Sequence, residues 1–375
     1  MIRILHTADW QIGRQFGRFS PDDAAALAEA RFAVVARIAE VAATESVDAV
    51  LVAGDVFDAQ TLADRTLYRT FQAMEGFSGP WILLPGNHDA ALAESVWTRA
   101  ERLAAVPDNV RILDRPAVCV YADVGFAVLP APLTQRQTPV DLTEWFDTAE
   151  TPTGLVRIGL AHGSIAERLP EAADAPNPIA ADRAVRARLD YLALGDWHGT
   201  QAIDDRTWYS GTPEPDRFKD NGAGQVLLVE LEGPGVPPRV TAHAVGRHAW
   251  IQRHWSLAVA SDLDLLLREL AAWPPMSVID LSVAGQLDLA GHQRLEQALA
   301  AAAGRHRSLQ CATTDLRLQP TEADIAALRA DGYLGEVVAE LQSRQERDVA
   351  RDTARDALAI LAGLLLDPGR QERQP

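Results

Sequence analysis

The sequence predicts an α/β fold in which helices connect parallel strands. Three short apolar segments have the pattern of buried strands, at residues 2–6, 49–53 and 81–84. Each ends in a polar loop that contains glycine, and the segments that connect them, at about 22–45 and 61–76, have helical patterns. Parallel strands need such crossover connections, and α/β sheets carry their sites at the carboxyl ends of the strands. The loops after these strands are therefore the first candidates for a functional site.

The pattern then changes to shorter predicted strands. They lie near residues 110–113, 117–121, 125–130, 156–161, 191–194, 207–210, 225–231 and 239–244. Two of these strands also end in polar residues, at His162-Gly163 and at residues 195–199. The segment 232–238, rich in proline and glycine, is the strongest turn signal in the chain. We expect residues 1–244 to form one domain, which carries the candidate functional site.

The rest of the chain predicts a small α+β unit and a helical end. Within residues 245–318 strands and helices alternate, at 249–256, 262–272, 277–283, 289–303 and 307–313. Residues 319–375 have helical patterns of mixed charge and include the apolar run Ala357–Leu366. So apolar a helix end needs another surface to cover it. That surface belongs either to a partner protein or to the small unit itself.

The composition is that of a globular protein of two or three domains. Of the 375 residues, 47% are hydrophobic and 23% are charged, which excludes a disordered, collagenous or fibrous chain. The net charge of −17 argues against a protein that holds nucleic acid mainly by a broad basic surface. An acidic chain can still cut DNA if metal ions supply the local positive charge. Lys219 is the only lysine, so almost all basic residues are arginines.

Cysteine content and apolar run length restrict the environment in which the protein works. Cys119 and Cys311 are far apart in the sequence, which excludes a disulfide framework and a cysteine-based zinc site. The run Ala357–Leu366 is about half as long as a membrane-spanning helix, and the N-terminus lacks the features of a signal peptide. We therefore expect a cytoplasmic protein without a membrane segment.

Metal-binding side chains follow five of the predicted strands. They are Asp9 and Gln11, Asp55 and Asp58, Asn87 and His88, His162, and Asp196 and His198. A single aspartate at a strand end is usually a helix cap or a turn residue, but five such clusters favour a shared site. Carboxylates, an amide and imidazoles together are suited to two divalent cations that share one carboxylate. The sequence therefore predicts a dinuclear metal centre.

The same clusters match the motif order of a known family. They read Asp9-Trp10-Gln11, Gly54-Asp55-Val56-Phe57-Asp58, Gly86-Asn87-His88-Asp89, His162-Gly163 and Gly195-Asp196-Trp197-His198. The chain thereby resembles the calcineurin-like metallophosphoesterases, whose motifs run D-x-H, G-D-x-x-D, G-N-H-D/E, an isolated H, and G-H-x-H. Residues 5–10, 191–195 and 209–214 resemble the SbcD-type DNA repair exonucleases of that family. The resemblance covers residues 1 to about 232, and the small unit more loosely.

The resemblance implies a four-layer sandwich of two mixed sheets flanked by helices, followed by the small α+β unit. In that family branch, residues 245–318 would be a capping domain for DNA, and residues 319–375 a helical segment that docks on a partner. The implied partner is an SbcC-like ATPase of the SMC type. The resemblance leaves a homodimer open.

The resemblance also implies roles for single residues. The two ligand sets are Asp9, Asp55 and His198 for one metal, and Asp55, Asn87 and His162 for the other. His88 would protonate the leaving oxygen or orient the phosphate. No Ser-His-Asp or Cys-His arrangement competes with this centre, so a covalent intermediate is not expected.

Two positions depart from the family motifs. Gln11 and Asp196 replace histidines, and both offer oxygen ligands in place of nitrogen. An oxygen-rich centre favours hard ions, so we expect Mn²⁺, with Mg²⁺ as the alternative. The other interpretation is a degenerate centre that binds metal weakly or binds a single ion.

Three functions follow from the sequence. The leading hypothesis is a DNA phosphodiesterase, an exonuclease or endonuclease of DNA repair that acts with the ATPase. A metallophosphoesterase of a small phosphoester is the second, and a non-catalytic scaffold subunit of an ATPase complex is the third. Trp10 and Trp197 flank the predicted ligands, and we expect them to pack in the core more than to stack a base.

Overall fold

The computed structural model describes residues 1–165, 176–319 and 333–345, with 353–354, 357–358 and 360–361 in addition. The chain divides into two compact units, Met1–His248 and Ala249–Pro375. Most of the predicted C-terminal segment, including most of the run Ala357–Leu366, lies outside the described residues. Its role, and the division into capping and docking parts, stay predictions.

Two six-stranded sheets form the centre of the first unit. Its strands are β1 (Ile2–Thr7), β2 (Ala49–Val52), β3 (Trp81–Leu83), β4 (Val110–Ile112), β5 (Cys119–Tyr121), β6 (Phe126–Ala131), β7 (Val156–His162), β8 (Ser164–Ile165), β9 (Pro178–Ile179), β10 (Tyr191–Gly195), β11 (Gln201–Ala202), β12 (Thr207–Tyr209), β13 (Gln225–Leu231) and β14 (Arg239–Ala244). The first sheet has the order β14-β13-β1-β2-β3-β4, and the second has the order β11-β12-β10-β7-β6-β5. Strands β8 and β9 form a separate parallel pair.

Both six-stranded sheets are mixed, because antiparallel strands flank a parallel centre. Strands β1 to β3 are parallel, as the sequence predicts, and β4 adds a fourth parallel strand. Strands β13 and β14 extend that sheet in antiparallel pairing. In the second sheet β6, β7, β10 and β12 are parallel, and β5 and β11 pair at the edges in antiparallel register. The parallel strands of each sheet direct their carboxyl ends to one edge.

The helices of the first unit are α1 (Pro21–Thr44), α2 (Asp64–Gln72), α3 (Val96–Arg102) and the short α4 (Arg183–Arg186), with a 3-10 turn at Glu144–Asp147. Helix α1 begins after Ser20, whose hydroxyl accepts a hydrogen bond from Asp23 N at 3.2 Å, and Pro21 occupies the first turn. Helix α2 is shorter than the predicted 61–76, and α3 is an addition to the prediction.

Three apolar clusters make this unit a four-layer sandwich. One lies between α1 to α3 and the first sheet, and includes Val35, Phe71 and Leu83. The second joins the two sheets, and the third joins the second sheet to the 3-10 turn and α4. Alternate residues of a strand face opposite sides, so Val50 and Leu51 belong to different clusters. The predicted layer architecture is confirmed.

The second unit is a smaller α/β arrangement. Its elements are β15 (Trp250–Leu257), α5 (Ala260–Ala272), β16 (Val278–Leu287), α6 (Leu289–Arg305), β17 (Ser308–Ala312), β18 (Leu316–Leu318) and α7 (Tyr333–Gln345). The sheet is wholly parallel, with β16 paired to β15, β17 and β18. The alternation predicted for residues 249–313 is confirmed, and β18 is an additional strand. Among the described helices, none has the length and apolar character needed to cross a membrane.

Candidate metal centre

The strand ends that carry the predicted ligands meet in the first unit. The loop after β1 lies along the loop after β2, where Asp9 N donates to Gly54 O at 3.1 Å. His162, the last residue of β7, is paired with Gly195 at the end of β10. Its Nδ1 lies 2.8 Å from Ala53 O, which connects the second sheet to the first. The structure thus brings loops from both sheets to one place.

Asp9, Asp55 and His162 lie at the centre of the region where these loops meet. Each is buried, and each offers one ligand atom such that all three atoms lie within 4.8 Å of one another. Among the described residues, these three are the acidic and imidazole side chains whose ligand atoms lie close enough together to hold one metal ion. Buried carboxylates without a cationic partner are costly, and a divalent ion satisfies them.

The backbone at this place is strained. Asp9, Gln11, Asp55 and Asp196 all have left-handed conformations, with φ of 54°, 50°, 53° and 99°. Residues with a side chain avoid this region, and each such conformation costs about 1–3 kcal/mol unless the surrounding fold imposes it. Strained conformations concentrate at functional sites, because there the side-chain direction matters more than local stability.

Two glycines allow the loops to approach each other closely. Gly54 has φ +88°, and a Cβ there would overlap the His162 imidazole. A Cβ at Gly86 would overlap the backbone and carboxylate of Asp55. The G-D and G-N motifs therefore have a steric basis, since any larger residue would push the ligand side chains apart.

His162 presents one ring nitrogen to the carboxylates. Because Nδ1 can donate its hydrogen to the Ala53 carbonyl, Nε2 remains for a ligand. Nε2 lies 3.5 Å from Asp55 Oδ1 and 3.7 Å from Asp196 Oδ1. Burial alone would lower the pKa of His162, but the neighbouring carboxylates, led by that of Asp55, raise it to about 9. Burial also raises the pKa of Asp9 to about 6.

The amides of Gln11 and Asn87 complete the group. Gln11 is fully buried, and its Nε2 donates to Asp55 Oδ2 at 2.7 Å. Its Oε1 is buried and has no hydrogen-bond partner among the described residues, which leaves an acceptor for a cation. The Asn87 side-chain amide lies 2.9 Å from His162 Nε2 and 3.1 Å from Asp55 Oδ2. These donor atoms fit a divalent ion that prefers oxygen.

Asp196 and His88 lie at the border of the group. Asp196 N is 3.2 Å from both carboxylate oxygens of Asp9, and Asp196 Oδ2 accepts from Ser164 Oγ at 3.0 Å. His88 N donates to Asp55 Oδ1 at 2.9 Å, and His88 Nδ1 lies 2.9 Å from Asp58 O. The fold therefore holds His88 beside the shared carboxylate through its backbone and one ring nitrogen.

His198 has different neighbours from the other predicted ligands. Its Nδ1 lies 3.2 Å from Asp216 Oδ2 and 2.9 Å from Arg217 Nη2. A carboxylate accepts a hydrogen from Nδ1, whereas a guanidinium donates to it, so the two neighbours favour opposite tautomers of the neutral ring. Only the tautomer that donates to Asp216 leaves Nε2 able to bind a metal.

Sequence reasoning missed Asp216 and the arginines around it. The Asp216 side chain is fully buried, with Arg14 Nη1 at 3.1 Å and Arg31 Nη2 at 3.4 Å from its Oδ2. Burial alone would raise the pKa of Asp216, but the hydrogen bond from His198 and the nearby guanidinium groups hold it well below its usual range. One signal was present: Arg31 is a charged residue on the apolar side of α1, between Leu27 and Val35.

Trp10 and Trp197 pack mainly against protein. Trp10 is fully buried, donates to Thr7 Oγ1 at 3.0 Å and contacts Trp81 edge to face. Trp197 is half-buried against the third apolar cluster, and the Lys219 ammonium lies 4.6 Å from its ring centroid. Core packing is confirmed for Trp10.

Comparison with known proteins agrees with this geometry. Residues 2–199 match the family model of the calcineurin-like phosphoesterases. The SbcD subunit of the nuclease SbcCD from Rhodobacter capsulatus is 30% identical over 285 residues, which cover 64% of this chain and 69% of that protein. The protein of the same name from Bacillus subtilis is 26% identical over 271 residues, covering 62% of this chain and 67% of that protein.

A third relative, the uncharacterized metallophosphoesterase YhaO of Bacillus subtilis, is 26% identical over 252 residues, covering 61% of this chain and 57% of that protein. The matched family region contains every predicted ligand, from Asp9 to His198. The resemblance inferred from the sequence motifs is thus confirmed. The chain belongs to the calcineurin-like phosphoesterase family and is a metal-dependent hydrolase of phosphate esters.

Proposed function

We propose that this protein is a nuclease that hydrolyses phosphodiester bonds of DNA at a centre of two divalent ions. The observation that carries the proposal is the buried group of Asp9, Asp55 and His162, with ligand atoms within 4.8 Å of one another. DNA as the substrate is supported by the two relatives named as nuclease subunits.

The ligands divide between the two ions around the shared carboxylate of Asp55. The proposed sets are Asp9, Gln11, Asp55 and His198 for one ion, and Asp55, Asn87, His162 and Asp196 for the other. Asp55 suits the shared position, because its carboxylate is contacted by members of both sets, Gln11 of the first and the Asn87 amide and His162 of the second. The chemistry that such ions supply is activation of water and neutralisation of charge at phosphorus.

His88 is the proposed catalytic residue of the chain. When Nδ1 donates to Asp58 O, Nε2 is the nitrogen that gives or accepts a proton. As an imidazolium, His88 would protonate the leaving oxygen. The backbone hydrogen bond to Asp55 fixes its distance from the ligands without making it one of them.

The preferred ion is Mn²⁺, with Mg²⁺ as the alternative. Gln11 and Asp196 add oxygen donors where the family motif has imidazoles, and oxygen donors favour hard ions. Calorimetric titration with Mn²⁺ and Zn²⁺ measures this preference. Asp196→His should shift it towards Zn²⁺, and a wild-type protein that is active with tightly bound Zn²⁺ would contradict the assignment.

The proposed nuclease acts with an SbcC-like ATPase in DNA repair. In this proposal residues 245–318 cap the DNA and residues 319–375 dock on the ATPase. The partner would supply the DNA affinity that a chain of net charge −17 lacks. Deletion of residues 319–375 should then spare hydrolysis of a small diester and abolish co-purification with the ATPase.

The deciding experiment compares linear DNA with bis-p-nitrophenyl phosphate as substrates for the purified protein in Mn²⁺. We expect both to be hydrolysed, and His162→Ala to reduce both activities to background. His243→Ala changes a histidine of the edge strand β14, outside both the ligand sets and the proposed capping domain, and is the matched control. Hydrolysis of the small diester alone would indicate a small-substrate phosphoesterase, and no hydrolysis of either would indicate a scaffold subunit.

A further inference from the structure

A cavity of about 320 Å³ lies beside His198 in the first unit. It is lined by the loop of residues 14–19, between β1 and α1, and by Asp216 and Arg217. The two parts of its lining are joined by the ion pair between Arg14 and Asp216. None of the residues that line it belongs to the proposed ligand sets.

The cavity has an excess of positive charge in an acidic protein. Arg14, Arg18 and Arg217 line it, and Asp216 is the carboxylate among the lining residues. Arg217 Nε lies 2.9 Å from Asp216 Oδ1, and Arg14 Nη1 lies 3.9 Å from Asp58 Oδ1. The described lining residues thus include three arginines and one aspartate, and Arg31 contacts that aspartate from within the core. The local field therefore favours an anion.

Aromatic rings hold one of these arginines in place. The guanidinium carbon of Arg18 lies 4.9 Å from the ring centroid of Phe19 and 4.8 Å from that of Phe218. Arg18 itself is exposed, whereas Phe19 is buried. A guanidinium stacked on rings loses little conformational freedom when its N–H groups bind a phosphate in two-pronged geometry.

Both parts of the cavity lining, the loop of residues 14–19 and the pair Asp216 and Arg217, adjoin the proposed metal centre. Arg14 N donates to Gln11 O at 3.1 Å, and Arg217 Nη2 lies 2.9 Å from His198 Nδ1. Two residues that line the cavity, Arg14 and Arg217, are thus in direct contact with proposed ligands. A substrate with more than one phosphate could therefore place one phosphate at the metal centre and another in the cavity.

We propose that this cavity binds a second phosphate of the substrate, next to the scissile phosphodiester. The inference rests on the proposed function and deepens it, because it makes the protein select a strand with successive phosphates over an ester with one. The phosphate is either an internal backbone phosphate or a terminal one, and the chemistry of recognition is the same for both.

Arg18→Gln tests the proposal, because Arg18 is exposed and is not a ligand or a neighbour of one. Its matched control is Arg239→Gln, an 80% exposed arginine on β14. Hydrolysis of an oligonucleotide and of bis-p-nitrophenyl phosphate is measured in Mn²⁺. We expect Arg18→Gln to raise KM for the oligonucleotide about tenfold, to leave the small diester unchanged, and Arg239→Gln to alter neither.

Binding without turnover gives an independent measurement. Anisotropy of a labelled oligonucleotide, in EDTA and between about 50 and 200 mM salt, should show a salt slope lower by about 1 in Arg18→Gln. Oligonucleotides with and without a 5′ or 3′ phosphate distinguish the two sources. Dependence on an end phosphate identifies a terminal phosphate, and equal binding identifies an internal one.

Two results would overturn the inference. An equal loss on both substrates would mean that Arg18 supports the centre itself, and unchanged KM and salt slope would mean that the cavity binds no phosphate of the strand. If the wild type hydrolysed neither substrate, the proposed function would fail. The salt slope of Arg18→Gln would still decide whether the cavity binds a strand.

Discussion

Two groups of carboxylates in the first unit differ in the side chains that balance their negative charge. At the candidate metal centre, Asp9 and Asp55 face each other with His162 and amides. Near the 3-10 turn, Asp141 and Asp147 are each paired with the buried Arg183, at 2.7 and 2.6 Å. Arg183 gives the second group a permanent cation, whereas among the described residues the first group has an imidazole and amides in that place.

The pKa directions follow this difference. Burial acts to raise the pKa of Asp141, but hydrogen bonds from Thr143 and Arg183 outweigh it and the pKa lies below its usual range. Burial raises the pKa of Asp9 to about 6, because it outweighs the opposing influence of His198 and His162. A half-buried carboxylate with its own arginine serves the fold, whereas buried carboxylates that share a histidine and amides indicate a place for an ion.

The same substitution at each group should separate these roles. We expect Asp55→Asn to lower metal-dependent hydrolysis of bis-p-nitrophenyl phosphate by more than about 10³-fold, with little loss of stability. Asp141→Asn should leave hydrolysis intact and lower the free energy of unfolding by about 3 kcal/mol, because Arg183 loses a charged partner. Urea unfolding in EDTA measures stability. Activity retained in a folded Asp55→Asn variant would break the comparison.

His88 should differ from both groups, because it touches the shared carboxylate only through its backbone. His88→Ala is expected to slow turnover by about 10²–10⁴-fold, the usual range for a lost general acid. Metal content by elemental analysis should stay close to that of the wild type. If the variant lost an ion, His88 would have to be reassigned as a ligand.

Substitutions of Asp216 and of Arg217 should have different effects on metal binding by His198. We expect Asp216→Asn to weaken metal binding about 10- to 100-fold, because the remaining neighbour favours the tautomer whose Nε2 carries hydrogen. Arg217→Gln removes that competing donor, so affinity should be unchanged or higher. Titration calorimetry gives the affinities, and nitrogen-15 shifts of His198 report the tautomer. Equal weakening in both variants would indicate general disturbance of the loop.

The metal-free protein should lose stability as pH rises. The raised pKa of Asp9, about 6 against 3.8, contributes stability that is lost as pH rises through about 6. His162, about 9 against 6.5, adds a contribution that is complete below 6.5 and lost as pH rises through about 9. Unfolding in EDTA between pH 5 and about 9.5 should show this fall, and Mn²⁺ should reduce it. A flat profile in EDTA would contradict the described electrostatics.

The strand ends of the candidate centre could be predicted because each motif is local. A buried strand followed by glycine and aspartate can be recognised within a few residues of sequence. Its carboxyl end is then expected at the edge of the parallel sheet where such folds carry their sites. Helix boundaries could be predicted less well. The helical pattern of α2 continues beyond Gln72, but the residues that follow form a turn, and α3 is only seven residues long. β18 is short, and its pairing with β16 is set by the sheet.

The partners of His198 could not be predicted, since they come from distant parts of the chain. Arg31 belongs to α1 and Asp216 to the segment after β12, and only the packing of α1 on the first sheet brings them within 3.4 Å. The pairing of Arg183 with Asp141 has the same origin. A charged residue on a buried helix face predicts that a partner exists, without showing which residue it is.

The candidate centre draws its side chains from both sheets: Asp9 and Asp55 follow strands of the first, and His162 and Asp196 belong to the second. Because each proposed ligand set takes side chains from both sheets, a bound ion would cross-link the two sheets, in addition to the apolar cluster between them. At about 100 times its Kd, such an ion adds about 2.7 kcal/mol to the free energy of unfolding. Scarcity of the ion would therefore shorten the lifetime of the folded protein against proteases as well as stop its chemistry.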